Sequence, residues 1–254
     1  MLSNSDIKDL KTLQQKKYRD QKKEMILEGH RLILQSLKLG AEINKVWATE
    51  DYLDSTHGNE IGQLLKEKHI NIEKTSLKSI QRVSNSQNSQ GIIAKVHCPN
   101  YEPLIEMPYH SIFLDDISDP GNMGALLRTA HWFGIESVFL SSQCVDVFNP
   151  KVIRSGMGAH FYFKQINVIS INEIVTKDDN LLVMAGDLKG EVIDEFCFQS
   201  ENKWILVLGS EAHGISSSIE PYITHRITIP SHEEMESLNV VAAGSILLHH
   251  LTRK

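Results

Sequence analysis

Three stretches of the chain set polar side chains and glycines at the ends of apolar runs, where their chemistry could converge. In DPGNMGALLRTA (119–130), Pro120 and Gly121 make a tight turn and Asn122 offers a helix N-cap. Arg128 is a lone cation in a helix whose Leu126, Leu127 and Ala130 are apolar. In LVLGSEAHGIS (206–216), Gly209 and Gly214 allow close backbone approach to a ligand, and Glu211 places a carboxylate at a strand end. In IPSHEEMESLNVVAAGSILL (229–248), Ser237 and Asn239 bracket the start of a last helix. An amide, a guanidinium, a carboxylate and a hydroxyl together can hold a polar ligand. Singly, each stretch also reads as an ordinary strand-to-helix connection.

The elements around these residues argue for convergence. SIFLDDI (111–117) and IESVFLS (135–141) are apolar runs on either side of the first motif and make a βαβ unit. NLLVMAGD (180–187), KWILVLG (203–209) and HRITIP (225–230) add strands of a mostly parallel sheet. Such sheets bind ligands beyond the carboxyl ends of their strands, and all three motifs fall there. Residues 237–251 follow as a helix, with Leu238, Val241, Ala242, Ser245 and Leu248 at helical spacing. Upstream, MILEGHRLILQSLKLG (25–40) approximates a helical stripe that Gly40 stops. INKVWAT, EIGQLLKEKH, INIEKTS, LKSIQRVS and QGIIAKVH then alternate strand with helix, so residues 1–97 form a smaller α/β domain. Pro99, Pro103 and Pro108 mark a linker at 98–109 and leave 110–254 as a second domain.

Composition narrows the classes. The chain has 254 residues, 41% hydrophobic and 23% charged, a soluble globular profile. A net charge of -6 announces no nucleic-acid partner, so one would need a local basic surface. Cys98, Cys144 and Cys197 form no CxxC and fit a reducing compartment. No apolar run reaches the roughly 18 residues of a membrane span, and no leader-like segment opens the chain, so a cytoplasmic location is expected. Phosphate-loop, dinucleotide, nucleophile-elbow and HExxH patterns are lacking, and no metal site is expected.

In this order and at these separations, DDISDPGNMGALLRTA, LVLGSEAHGIS and IPSHEEMESLNVVAAG closely resemble the three motifs of the SpoU (TrmH) family of RNA ribose 2′-O-methyltransferases, within the SPOUT superfamily. The resemblance covers about residues 110–254. EGHRLILQSL and SQGIIAKV match more loosely the family's ribosomal-protein-like α/β domain, which binds substrate. The resemblance implies an α/β protein whose C-terminal sheet is mostly parallel, flanked by helices and tied in a trefoil knot. It also implies S-adenosylmethionine as methyl donor, a homodimer packed through the knotted domains, and RNA as partner, with rRNA favoured over tRNA. It places Asn122, Arg128, Glu211, Ser237 and Asn239 at active-site positions. There Glu211 would orient a polar partner such as Arg128, and Ser237 with Asn239 would hydrogen-bond the substrate or hold the cofactor loop. Leu208, Gly209, Ile229 and Leu238 fall where the family holds its cofactor. Ser231 and Glu233 depart from the usual methionine and glycine and alter the pocket rim, and Gly156 stands where a serine is common.

Two roles stay open for Arg128. The family proposal makes it the general base, whereas a guanidinium ionises above about pH 12 and suits a phosphate clamp that stabilises a developing alkoxide. Candidate RNA contacts are Lys16, Lys17, Arg19, Lys22, Lys23 and Arg31, with Lys151 and Arg154 nearer the second domain's motifs. The competing readings are a tRNA 2′-O-methyltransferase, a base methylase of the superfamily, and a non-catalytic RNA-binding or ribosome-assembly factor.

Overall fold

The computed structural model describes residues 2–84, 88–197, 201–232 and 237–253, so Glu233 lies outside the described residues. Two units divide the chain: Met1–Asn100 with Asp146–Tyr162, and Tyr101–Val145 with Phe163–Lys254. The first begins with α1 (Asn4–Thr12), α2 (Lys16–Lys22), β1 (Glu24–Glu28), α3 (His30–Lys38) and β2 (Ile43–Ala48). It continues with α4 (Glu50–Leu53), α5 (Thr56–Glu67), β3 (Ile72–Lys74), α6 (Leu77–Gln81) and β4 (Ile92–His97). Its sheet runs β1-β4-β2-β3, with β4 antiparallel to both neighbours and β2 parallel to β3.

Residues 25–28 correct the helical reading. Met25 and Leu27 are fully buried while Glu24, Ile26 and Glu28 are half-exposed, the period of two that marks a strand. Gly29, at φ 95°, turns the chain so that the helix starts only at His30.

The second unit opens with β5 (His110–Leu114), α7 (Pro120–Trp132) and β6 (Ser137–Leu140). Beyond the segment that carries α8 (Pro150–Gly156) come β7 (Gln165–Val168), α9 (Ile171–Val175), β8 (Leu182–Val192), β9 (Trp204–Leu208), β10 (His225–Thr228) and α10 (Val240–Leu251). Its sheet runs β10-β8-β9-β5-β6-β7 with every pair parallel. Both faces of such a sheet are covered, which explains why β5, β6 and β9 read as unbroken apolar runs. Phe113, Phe139, Val183, Ile205 and Val207 pack with Ile171 and Ile174 in one core. α10 packs on α7: a Cβ at Gly244 would lie 2.9 Å from Leu208 and 3.0 Å from Leu126.

The segment 146–162, expected from the sequence to belong with 110–254, packs with the first unit. Phe148, Ile153 and Phe161 join the core of Met25, Leu27 and Leu32. Arg19, 4% exposed, donates 2.5 Å to Asp146 and 2.8 Å to the carbonyls of Leu13 and Gln14. A buried guanidinium stands only when paired, so the Asp146 carboxylate fixes this segment in place.

Candidate active site

The connections after β5 and β9 leave in opposite directions, since α7 leads outward to β6 while the β9 loop leads to β10 at the other edge. The β5/β9 boundary is therefore the switch point of the sheet, where an open α/β fold leaves a crevice.

Asp119, rather than Asn122, caps α7. Its Oδ1 accepts the Asn122 N–H at 2.8 Å. Pro120 sits at the first helical position, where its missing N–H goes unneeded and its fixed φ suits the helix, and this moves the cap ahead of it. The Asn122 amide is thereby released from capping, and its Oδ1 accepts from Asn239 Nδ2 at 3.4 Å.

Asn239 uses both ends of its amide. Oδ1 accepts the Val241 N–H at 3.0 Å and caps α10, while Nδ2 donates 2.5 Å to Glu211 Oε1. The same carboxylate oxygen accepts the Val240 N–H at 3.2 Å. A carboxylate on the first amides of a helix is favoured by the dipole as well as by the bonds. Glu211's polar partner among the described residues is thus Asn239 rather than Arg128, and one residue from each of the three motifs meets in this cluster.

The β9 loop is closed on itself. Ser210 and Gly214 exchange N–H···O bonds of 3.0 and 2.8 Å, leaving Glu211 at an exposed tip. A Cβ at Gly209 would lie 2.4 Å from the Gly214 backbone, and Gly214 has φ 68°. Both glycines are required by the loop's own closure.

Asp115, which sequence reasoning passed over, anchors that loop. It is 3% exposed, its N–H donates 2.9 Å to the Leu208 carbonyl, and its Oδ2 accepts the Ser216 N–H at 2.7 Å. The available cue was a pair of consecutive acids closing an apolar strand immediately before the turn. The second acid, Asp116, turns the chain at φ 53°, with its N–H donating 2.9 Å to Ser141 Oγ.

The remaining candidates are placed but not bonded into the cluster. Arg128 is exposed on α7 and makes no ion pair among the described residues. Ser237 is exposed two residues before the cap of α10, and Leu238 is 48% exposed beside it. Leu208 is buried at the end of β9, and Ile229 is half-buried one residue past β10. Ser231 is exposed, and Gly156 ends α8 in the first unit. Among the described residues no group of three or more His, Cys, Asp or Glu is disposed to hold a metal, and no helix is long and apolar enough to cross a membrane.

A parallel sheet that gathers polar groups from three connections at its switch point defines an α/β protein with a candidate ligand site there. The chain belongs to the SpoU rRNA methylase family, which it matches over residues 109–249. Residues 4–94 match the MRM3-like substrate binding domain. It is 28% identical to the 23S rRNA (guanosine(2553)-2′-O)-methyltransferase RlmP of Bacillus subtilis, over 98% of this chain and 96% of that protein. It is 27% identical to an uncharacterized tRNA/rRNA methyltransferase of Synechocystis, over 99% of this chain and 92% of that one. Among solved structures, a TrmH-family protein from Porphyromonas gingivalis superposes with a TM-score of 0.82 at 30% identity, covering 100% of this chain and 99% of its own.

Proposed function

We propose that the protein transfers a methyl group from S-adenosylmethionine to a ribose 2′-hydroxyl of rRNA. The observation that carries this reading is the bonded cluster of Asn122, Glu211 and Asn239 at the sheet's switch point, one residue from each family motif. Exposed Leu238 and half-buried Ile229 offer apolar surface of the kind an adenine ring covers, and with Leu208 and Gly209 they would hold the donor. When bound, S-adenosylmethionine supplies an activated methyl on a sulfonium. Asn122 and Asn239 are buttressed amides able to orient a hydroxyl, and Ser237 precedes Asn239 by two residues. Arg128, with no ion pair among the described residues, clamps a backbone phosphate and stabilises the developing alkoxide while the proton leaves to phosphate or water. By holding the hydroxyl in place against the donor, these residues would supply up to roughly 7–11 kcal/mol toward the barrier.

The same reading takes 1–97, with 146–162 packed into its core, as the RNA-binding domain, 98–109 as linker and the rest of 110–254 as the methyltransferase domain, acting in the cytoplasm. A trefoil knot is supported by the course of the chain, which leaves β10 at the sheet edge and returns so that α10 packs beside Leu208 and Leu126. A homodimer through this domain is supported by Trp132, 83% exposed at the end of α7, and Ile246, 43% exposed on the adjoining α10.

The test is transfer of a tritiated methyl group to rRNA fragments, followed by digestion and mass analysis of the nucleosides. A 2′-O-methylated nucleoside, lost with Asn239→Ala, is expected. A methylated base, or transfer to tRNA alone, would replace this reading with the corresponding competitor. Failure to bind S-adenosylmethionine in calorimetry, with RNA present, would leave a non-catalytic RNA-binding factor.

A further inference from the structure

The first unit sorts its charges. Asp9 on α1 pairs with Lys22 and, at 3.3 Å, with Lys95; Asp6 lies 3.6 Å from Lys45. Lys16 is 3.3 Å from Asp20 and 3.7 Å from Asp146, and Lys74 is 2.7 Å from Glu50. The acids of α1 are therefore neutralised by lysines of the sheet and of α2. Lys8, Lys11 and Arg82 make no ion pair among the described residues, and all three are exposed. Arg82 donates 3.3 Å to the Asn4 amide oxygen.

These three cations share one groove. With Asn4, Gln15 and Tyr18 they line an open cleft of about 380 Å³, within the roughly 300–1,000 Å³ of small-ligand sites. Asn4, Lys8 and Lys11 recur at helical spacing along one stripe of α1, turned away from the buried Leu10, while buried Ile7 forms part of the groove's floor and Gln15, the N-cap of α2, follows at its end. Tyr18 closes one end with a half-exposed ring, and Lys17 Nζ stands 6.0 Å from that ring's centroid.

We infer that this groove binds single-stranded RNA, with an unpaired base stacked on Tyr18 and the flanking phosphates on Lys8, Lys11 and Arg82. The inference rests on the reading of the chain as an RNA-modifying protein and assigns a site to its first unit. Unneutralised cations call for a polyanion, an aromatic face is the platform unpaired bases use, and two amides can reach base edges. An acidic protein would use the cations but would leave the ring and amides without a purpose.

Fluorescence anisotropy with a labelled single-stranded oligoribonucleotide of mixed sequence tests this on the full chain, across a salt series. Combined Lys8→Ala, Lys11→Ala and Arg82→Ala should weaken binding more than 10-fold and flatten the log affinity against log salt slope by about 2, from roughly 0.7 per phosphate. Tyr18→Leu should weaken binding about 10-fold with the slope unchanged. Lys74→Ala, at an exposed lysine not lining the groove, should change neither. All the substituted side chains are exposed or half-exposed, and unchanged circular dichroism would confirm folding. Wild-type affinity in the triple variant, or an equal loss with Lys74→Ala, would overturn the groove even where methyl transfer succeeds. Groove-dependent RNA binding by a protein that neither binds S-adenosylmethionine nor transfers methyl would keep the groove and sink the enzyme.

Discussion

Replacing Asp115 tests whether the β9 loop must be held for the donor to bind. The carboxylate is 3% exposed, and its 2.7 Å bond to the Ser216 N–H is its link to the loop that carries Gly209 and Glu211. A hydrogen bond to a charged acceptor contributes about 1.5–3 kcal/mol. Ser216 is exposed, so water can take over its N–H once the carboxylate is gone, and the lower end of that range applies. Asp115→Ala should therefore release the loop at a cost of about 1.5 kcal/mol, roughly a 10-fold rise in the Kd for S-adenosylmethionine. Asp115→Asn keeps a neutral acceptor and should cost about half as much. For a chain of this size the alanine variant should also lose about 3–6 °C in Tm. Calorimetric titration and thermal unfolding read the two effects separately, and kcat at saturating donor and RNA should hold. A falling Tm with donor affinity unchanged would show that Asp115 only stabilises the fold. Unchanged Kd with a collapsed kcat would mean that it acts on the reacting groups instead.

Arg128→Ala should cut methyl transfer by about 100-fold or more, as loss of a positioned charge at a reacting oxygen does elsewhere. Arg128→Lys should remain impaired at every pH, because an ammonium cannot replace a planar fork, and recovery of turnover as pH rises would overturn the clamp in favour of a base. His160, wholly buried with its Nε2 2.8 Å from the Val147 carbonyl, is pushed down to about 4 by burial. Its folded value lies below the unfolded value of 6.5, so the unfolded chain takes the proton first. Stability from this group is full above about pH 6.5 and is lost as pH falls toward 4, in total about 3 kcal/mol at 1.36 kcal/mol per unit. Denaturant unfolding of the wild type and His160→Gln at several pH values checks this; the variant should lose less between pH 6.5 and 4, and parallel losses would refute it.

What the sequence revealed follows the range of the interactions involved. Continuous apolar runs named β5, β6 and β9, because a doubly covered parallel strand needs nothing beyond its own residues to declare itself. Local ambiguity produced the errors. Residues 25–28 fit a helical stripe as well as a strand, and what decided the matter was pairing with β4, whose residues 93–97 lie far along the chain. Asparagine and aspartate are equally good caps, so Asn122 was a fair reading until Pro120 took the first helical position and Asp119 the cap. The cluster of Asn122, Glu211 and Asn239 spans 28 and 117 residues of separation, and only the three motifs taken together pointed to it. Asp115 left a fainter trace, a pair of acids closing an apolar strand, since a buried acid's role depends on the amide it receives.

Charge shows the same limit most sharply. The lysine-rich run at 16–23 invited an RNA contact, yet Arg19 is buried against Asp146, Lys22 is paired with Asp9, and Lys16 faces Asp20 and Asp146. Those partners stand up to 127 residues away, so no local count of cations could have discounted them. Lys8 and Lys11 sit among the acids Asp6 and Asp9 and look neutralised by their neighbours on paper. The helix turns the acids toward the sheet lysines and leaves the two ammonium groups outward, because side chains one or two positions apart on a helix do not face one another. A net charge of -6 is thus compatible with an unneutralised basic groove, and the quantity that matters for an RNA partner is the charge left over once internal pairs are formed.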